Sequence, residues 1–423
     1  MKKKVALHNL GCKVNAYELE AMQEMLEKAG YEIVPFAPGA DVYIINTCTV
    51  TNIADRKSRQ MLHKARKMNP EAIVIAAGCY VQAQKNMENI DDAIDIVLGN
   101  NRKQDLLFVL ENYKKGSGQE KDLISLDKPV EYEELQLSST GEHTRAYLKV
   151  QDGCNQFCSY CIIPYVRGRV RSRRKEEVLE EVLRLTKNGY QEFVLTGIHL
   201  SSYGVDCEDN LLELIKAVHE IEGVKRIRLG SLEPRIITEE FAQALGNMPK
   251  ICPHFHLSLQ SGCDAEEYLE GCRLLRKYFK NPALTTDVIV GFPQESEEEF
   301  EQSYKMIESV EFYETHIFKY SRRQGTRAAE MEGQVDEAVK TERSHKLIQL
   351  GKEKKQKYME SFLGQQVEIL FEETAKIQGE EYWIGYTKEY LKVAAKSKEN
   401  LENRIVLGKV ERFIEEGIFI CSI

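Results

Sequence analysis

The densest chemistry in the chain lies in Cys154-Asn155-Gln156-Phe157-Cys158-Ser159-Tyr160-Cys161. Three thiolates in so short a stretch can hold three corners of a four-iron cubane, whereas fully ligated clusters take four cysteines. A missing fourth ligand leaves one iron open, and an open position is what a metal centre needs to bind a substrate. A structural zinc site is the alternative. It would need a fourth ligand such as His143 or His199, and the close spacing has no paired second half.

Three further cysteines stand far apart in sequence but share a setting. Asn9-Leu10-Gly11-Cys12, Asn46-Thr47-Cys48 and Ala77-Gly78-Cys79 each follow a short apolar run. Such runs, at 4–10, 41–46, 73–77 and 94–98, alternate with helical periodicity. Leu19, Met22, Leu26 and Ala29 mark the first helix, with Asn15 placed to cap it and Gly30 to end it. Apolar strands alternating with helices predict an open parallel sheet covered on both faces. Ligands in such sheets bind at the carboxyl ends of the strands. Cysteine is also a common buried residue, but three successive strand ends, in a chain with 11 cysteines, favour a second metal or cluster site.

The Cys154 loop follows a strand-like run at 146–150. Similar runs recur at 192–197, 225–230, 254–260, 284–291 and 314–320, with helical patterns between them. Six βα-type units are too few for a closed eight-fold barrel, so an open, partial (β/α)6 barrel is expected. Several strands end in small or polar residues, namely Thr196-Gly197, Gly230-Ser231, Gln260-Ser261-Gly262 and Gly291. These let a ligand approach the backbone at the carboxyl face. Beyond a long charged helix, five short strand-like runs between 367 and 421 predict a small β-barrel of the kind that often binds oligonucleotides. The expected layout is an α/β multidomain chain. Its parts are an open parallel α/β sheet (1–115), an exposed linker (116–143), the partial barrel (144–334), a connecting helix (335–361) and the small β-barrel (362–423).

Bulk charge does not announce a nucleic-acid partner, because the net charge is −9 and the pI about 5.7. Local patches argue otherwise. The helix after Cys48 carries Arg56, Lys57, Arg59, Lys64, Arg66 and Lys67 against Asp55, and Arg167-Gly168-Arg169-Val170-Arg171-Ser172-Arg173-Arg174-Lys175 follows the cysteine loop. Both are read as phosphate-contacting surfaces, against the plainer reading of solvated charge. Residues 365–423 oppose this, with eight Lys/Arg and eleven Asp/Glu. The basic-then-apolar start stops at His8 and Asn9, too early for a signal peptide. No run approaches membrane-spanning length. The odd cysteine count points to metal or redox chemistry in a cytoplasmic protein with reduced thiols, not to a disulfide framework.

CxxxCxxC with an aromatic before the third cysteine, at the mouth of a six-unit barrel, resembles the radical S-adenosylmethionine superfamily. Taken end to end, the order of a three-cysteine α/β domain, a radical barrel and a small β-barrel resembles the methylthiotransferases over essentially the whole chain. The match of Asn9-Leu10-Gly11-Cys12-Lys13-Val14-Asn15, of Cys154–Arg173 and of Arg228-Leu229-Gly230-Ser231-Leu232-Glu233-Pro234 is closest to the MtaB-type branch. Members of that branch convert N6-threonylcarbamoyladenosine, beside the anticodon of tRNA, into its 2-methylthio derivative.

The resemblance implies two [4Fe-4S] clusters, a radical cluster on Cys154, Cys158 and Cys161 and an auxiliary one on Cys12, Cys48 and Cys79. It implies S-adenosylmethionine on the open iron, lined by Tyr160, Thr196, Gly197, Gln260 and Gly291. One such cofactor would methylate sulfur on the auxiliary cluster. A second would yield the radical that abstracts hydrogen from carbon 2 of the adenine. The partner is then tRNA, with Arg56, Lys57, Arg167, Arg169, Arg171 and Arg173 as its contacts and a TRAM-like terminal barrel. A reductase or flavodoxin-type electron donor and a sulfur source complete the set, with no membrane.

The chain departs from the family pattern after Cys263-Asp264, where it goes directly to Ala265-Glu266-Glu267-Tyr268. Family members usually carry a longer loop there with a basic stretch. Cys207, Cys252, Cys263, Cys272 and Cys421 match no ligand pattern. Isopentenyladenosine in tRNA and a ribosomal protein are alternative substrates that would share all six cysteines. A non-catalytic iron–sulfur carrier is the alternative of another class, and it would need neither an open iron nor a long barrel.

Overall fold

A computed structural model describes residues 2–87, 89–138, 144–262 and 265–423. Strands β1 (Lys4–Asn9), β2 (Glu32–Ile33), β3 (Val42–Thr47), β4 (Ile73–Gly78), β5 (Ile96–Leu98) and β6 (Glu120–Asp122) form one parallel sheet in the order β2-β1-β3-β4-β5-β6. Its central strands are apolar on both sides because helices cover both. Helices α1 (Lys13–Lys28) and α4 (Leu106–Asn112) pack with Val5, Ile44, Ile75 and Ile96, while α2 (Asn52–Met68) and α3 (Cys79–Ala83) pack with Ala6, Tyr43 and Val74.

Two expectations are corrected here. Cys12, not Asn15, stands at the N-cap of α1. Asn15 lies inside the first turn and donates to the carbonyls of Leu10 and Thr47 instead. The stretch expected to be an exposed linker is packed over its described part. It supplies β6, and it buries Leu126, Leu135 and Leu137, the last two against Tyr17 and Ala21 of α1. Residues 139–143, His143 among them, lie outside the described residues.

The six runs predicted for the barrel are β7 (Arg145–Lys149), β10 (Glu192–Thr196), β11 (Arg226–Leu229), β12 (His254–His256), β13 (Ala283–Val290) and β14 (Glu314–Lys319). They run parallel as two sheets, β7-β10-β11 and β12-β13-β14, linked by bridges at Ile227–Ile251 and Leu232–Leu257. Among the described residues no pairing joins β14 to β7, so the barrel is open. Outer-face residues such as Leu148, Leu195, Leu229 and Val288 form one core with α6 (Lys175–Lys187), α7 (Leu211–Glu220), α8 (Glu239–Gly246), α9 (Glu266–Tyr278) and α10 (Glu297–Val310). Strand alternation therefore puts Arg145, Lys149, Glu192, Arg226, Arg228, His256, Asp287 and His316 on the inner face. Residues 263 and 264, where the short loop was noted, lie outside the described residues.

Between β7 and β10 a two-stranded ribbon, β8 (Gln151–Asp152) and β9 (Arg171–Ser172), and the short α5 (Ile163–Val166) shape the cysteine loop. After β14, α11 (Arg327–Glu330) and the long α12 (Glu337–Glu360) lead to β15 (Gln366–Ile377), β16 (Glu380–Thr387), β17 (Lys392–Ala395), β18 (Ile405–Glu415) and β19 (Ile418–Ser422). These close into a barrel ordered β15-β16-β17-β19-β18 around Ile369, Phe371, Val393 and Phe419. The closed barrel docks on the open one: Arg226 and Arg228 donate to the carbonyls of Glu368 and Lys388, and Arg145 pairs with Glu372. Among the described residues no helix is long and apolar enough to cross a membrane.

Candidate active site between two cysteine sets

Adjacent parallel strands β1, β3 and β4 end together, and a cysteine follows each of them. Glycine is required twice for this convergence. Gly11 (φ +109°) comes so near Cys48 that an added Cβ would lie 3.2 Å from its Sγ, and Gly78 (φ +93°) would meet Asn46 Oδ1 at 2.6 Å. Thr47 Oγ1 accepts from the Tyr80 amide and donates to the Ala77 carbonyl, and Asn46 donates to the Asn15 carbonyl, so a polar brace underlies the three thiols. Asn100 donates to Cys79 Sγ at 3.4 Å. The thiols of Cys12, Cys48 and Cys79 feel one another's charge. Burial pushes Cys48 up to about 11, so the uncharged thiol is its resting form until a metal displaces the proton.

The second set is held by backbone. The Cys154 amide bonds the Gly168 carbonyl at 3.0 Å, the Cys161 amide bonds the Cys158 carbonyl at 2.9 Å, and Gln156 N–H points at Cys154 Sγ at 3.5 Å. Phe157, at φ +48°, turns the loop through the left-handed region, a conformation that side chains adopt only where the surroundings impose it. Here Arg327 and Ala328 of α11 pin the loop by bonding the Phe157 and Ser159 carbonyls. Cys154 is buried, Cys161 half-buried and Cys158 exposed, so one side of the set faces solvent.

Ile162 and Val166, which follow Cys161 in the chain, share a small apolar cluster with Cys79, so the loop of one cysteine set packs beside a cysteine of the other. A cavity of about 430 Å³ opens beside the loop, lined by Ser159, Tyr160, Gln260, Ser261, Ile289 and Phe292 among others, a size that suits a nucleoside-like ligand. Gln260 is held at φ +67° by backbone bonds to Asp287 and Ile289. Of the residues expected to line the cofactor, Tyr160 and Gln260 border this cavity. Thr196, Gly197 and Gly291 do not: Thr196 is buried in its strand, a Cβ on Gly197 would strike Gln151, and one on Gly291 would strike Lys340 of α12.

Two family models match this chain, an uncharacterized protein family, UPF0004, over residues 4–99 and the radical SAM superfamily over 148–307. The threonylcarbamoyladenosine tRNA methylthiotransferase MtaB of Bacillus subtilis is 42% identical over 96% of this chain and 93% of its own. The protein of that name from Aquifex aeolicus is 38% identical over 90% and 95%. This chain belongs to the radical S-adenosylmethionine methylthiotransferases. A tRNA-2-methylthio-N(6)-dimethylallyladenosine synthase of Moorella thermoacetica is 34% identical over 95% and 94%. Among solved structures, the radical S-adenosylmethionine methyltransferase TsrM of Kitasatospora setae shares the fold (TM-score 0.54, 16% identity, 78% of this chain and 77% of that one).

A methylthiotransferase of this superfamily takes S-adenosylmethionine and [4Fe-4S] clusters as cofactors. The donor chemistry fits: each cysteine set offers three soft thiolates, enough for three corners of a cubane. His199, weighed above as a zinc ligand, is committed to Ser202 and Glu233.

The basic loop of this methylthiotransferase is not the surface expected from its sequence. Arg167, Arg171 and Arg173 are fully buried. Arg167 bonds Glu18, Asp152 and Asn15, Arg171 pairs with Asp152, and Arg173 pairs with Glu181 and Glu134. They cannot reach a phosphate, because each is already desolvated against its own carboxylate. Only Arg169 of the four stays partly open, its guanidinium 4.5 Å above the Phe157 ring. On α2 the exposed cations are Arg56, Lys57, Arg59, Lys64 and Lys67, whereas Arg66 is turned inward to Asp95. The start of α2 is latched to the barrel, since Arg323 pairs with Asp55 at 2.8 Å and donates to Thr49, and Asn52 bonds Ser321.

Two features of the inner face escape sequence reasoning. His256, Asp287 and His316 bring ligand atoms within 4.8 Å of one another from three adjacent strands, one strand position below the cavity residue Ile289 on its face. Lys13, beside Cys12, is exposed. Desolvation, then the charges of Arg228 and Arg145, lowers its pKa to about 8. The register pairs Asp287↔His316 and His256↔Thr285 would have disclosed the first, but register is not written in a single sequence.

Proposed function

We propose that this methylthiotransferase inserts a methylthio group at carbon 2 of N6-threonylcarbamoyladenosine next to the anticodon of tRNA. The observation that carries this reading is the placement of Cys79 against Ile162 and Val166, which follow Cys161 in the chain. A group held at one cysteine set is therefore close to whatever lies at the other. The chemistry supplied by the bound cofactors is hydrogen abstraction and delivery of a methylated sulfur. The protein supplies position. Cys154, Cys158 and Cys161 hold the radical cluster at the rim of the cavity, and Tyr160 and Gln260 border the space for the nucleoside part of the cofactor. Cys12, Cys48 and Cys79 hold the auxiliary cluster, with Ile162 and Val166 packed beside Cys79.

The exposed cations Arg56 and Lys57 of α2, with Arg169 and the Phe157 ring, form the rim that faces tRNA. The closed terminal barrel at 362–423 serves as a TRAM-like RNA module. We place the work in the cytoplasm, with a reductase or flavodoxin-type protein as electron donor and a separate sulfur source. The deciding test uses anaerobically reconstituted protein, S-adenosylmethionine, a reductant, a sulfur source and tRNA bearing threonylcarbamoyladenosine, with nucleosides analysed by mass spectrometry. A methylthio gain on that nucleoside is expected. A gain only on isopentenyladenosine would overturn the reading.

A further inference from the structure

Four cations on the inner face of β7 and β11 are neutralised. Arg145 lies 2.7 Å from Glu372, Lys149 2.9 Å from Glu18, Arg226 3.4 Å from Glu192 and Arg228 2.9 Å from Glu192. Two of these arginines are also stacked, Arg145 over Tyr386 and Tyr390, and Arg228 over Tyr390. Lys13 differs. It opens α1, the helix that sends Glu18 to Lys149, and it lies in the field of Arg228 and Arg145, with Cys12 and Glu192 opposing them. Among the described residues its ammonium has no carboxylate or carbonyl partner, and it is reachable by solvent. An exposed cation left unpaired beside neighbours that already have their carboxylates is free to take an anion that arrives from outside.

The substrate reading above, on which this inference rests, brings such an anion. Threonine joined to N6 through a urea carries a free carboxylate on the same side of the base as carbon 2, whereas an isopentenyl group is apolar. Cys12 directly precedes Lys13, so a base whose carbon 2 faces the auxiliary cysteines has its N6 substituent within the lysine's neighbourhood. We infer that Lys13 receives the threonine carboxylate and so selects threonylcarbamoyladenosine over apolar N6 groups. The competing role for Lys13 is to offset the thiolate charge beside Cys12, with no contact to substrate.

The two roles separate when three proteins are compared on two RNAs. The reconstituted holoenzyme and its Lys13→Met and Lys13→Arg variants are assayed on an anticodon stem–loop RNA bearing threonylcarbamoyladenosine, and on the same RNA with the threonine carboxylate capped as a neutral methylamide. Loss of one charged hydrogen bond is worth about a 10- to 100-fold change. Capping is expected to raise the wild-type KM by about that factor with a smaller effect on kcat, Lys13→Met to match this on natural RNA and to ignore the cap, and Lys13→Arg to stay close to wild type. If Lys13→Met remains as sensitive to the cap as wild type, the inference is overturned, and a shifted auxiliary-cluster EPR signal would then assign Lys13 to the cluster. If wild type leaves threonylcarbamoylated RNA untouched but modifies isopentenylated RNA, the substrate reading itself fails and the inference with it.

Discussion

Arg167 and Glu18, 149 residues apart in sequence, form a buried two-point pair, with Nη1 2.6 Å from Oε1 and Nη2 3.1 Å from Oε2. Lys103, Lys149 and Asp152 close the network around them. Burial opposes the charge on Glu18, but Arg167, Lys103 and Lys149 hold its carboxyl below the usual range. The pair joins α1, which starts at the auxiliary cysteines, to the loop that follows the radical cysteines. Breaking a buried pair strands a charge and costs about 3–5 kcal/mol. Arg167→Ala should lower the unfolding free energy by an amount in that range, read from a fall in the denaturant midpoint. An unchanged midpoint would mean that the pair does not hold these elements together.

The exposed face of α2 gives a different expectation. Arg56→Glu and Lys57→Glu should leave stability unaltered and weaken tRNA binding across sequences. Each should also reduce the slope of log affinity against log salt by about 1. A slope equal to that of wild type would remove α2 from the RNA surface.

The two cysteine sets should separate functionally. Cys158→Ala should abolish 5′-deoxyadenosine formation, and normal turnover by that variant would refute the radical-cluster assignment. Cys48→Ala should spare cofactor cleavage but stop methylthiolation. Modified nucleoside from Cys48→Ala would refute the auxiliary assignment.

Glu134 links pH to stability. Burial, then its hydrogen bond with Glu177, raises its carboxyl from 4.5 to about 7, with Arg173 opposing. A carboxyl raised in the fold binds a proton that the unfolded chain has already released. Its contribution is therefore most favourable below about 4.5 and is lost as pH rises through about 7. Glu134→Gln should flatten the melting temperature over that interval relative to wild type. A parallel pair of curves would exclude Glu134 as the group responsible.

Much of this was legible in sequence for physical reasons. The barrel strands at 146–150 and 284–291 carry apolar outer-face residues, such as Ala146, Leu148, Val288 and Val290, that helices cover, and such a face must be apolar. The cysteines of both sets are short-range or strand-end signals. Arg167, Arg171 and Arg173 misled because a run of arginines looks the same whether its carboxylates are in water or, as here, come from α1, α6 and β8. Strand β6 was missed because Glu120-Lys121-Asp122 joins the sheet through its backbone, which leaves no apolar mark. The His256–Asp287–His316 group assembles only once three strands take a particular register.

The latch of Arg323 on Asp55 and Thr49, together with the buried Arg167–Glu18 pair, fastens the cysteine-bearing sheet to the barrel at two separate places. A joint held by such fastenings does not open by hinge motion without stranding charges on both sides. The moving part must then be the nucleic acid. A base whose carbon 2 is to reach the space between the cysteine sets has to leave its stack and swing in, and the cost of unstacking is least in a loop, where no complementary strand holds it.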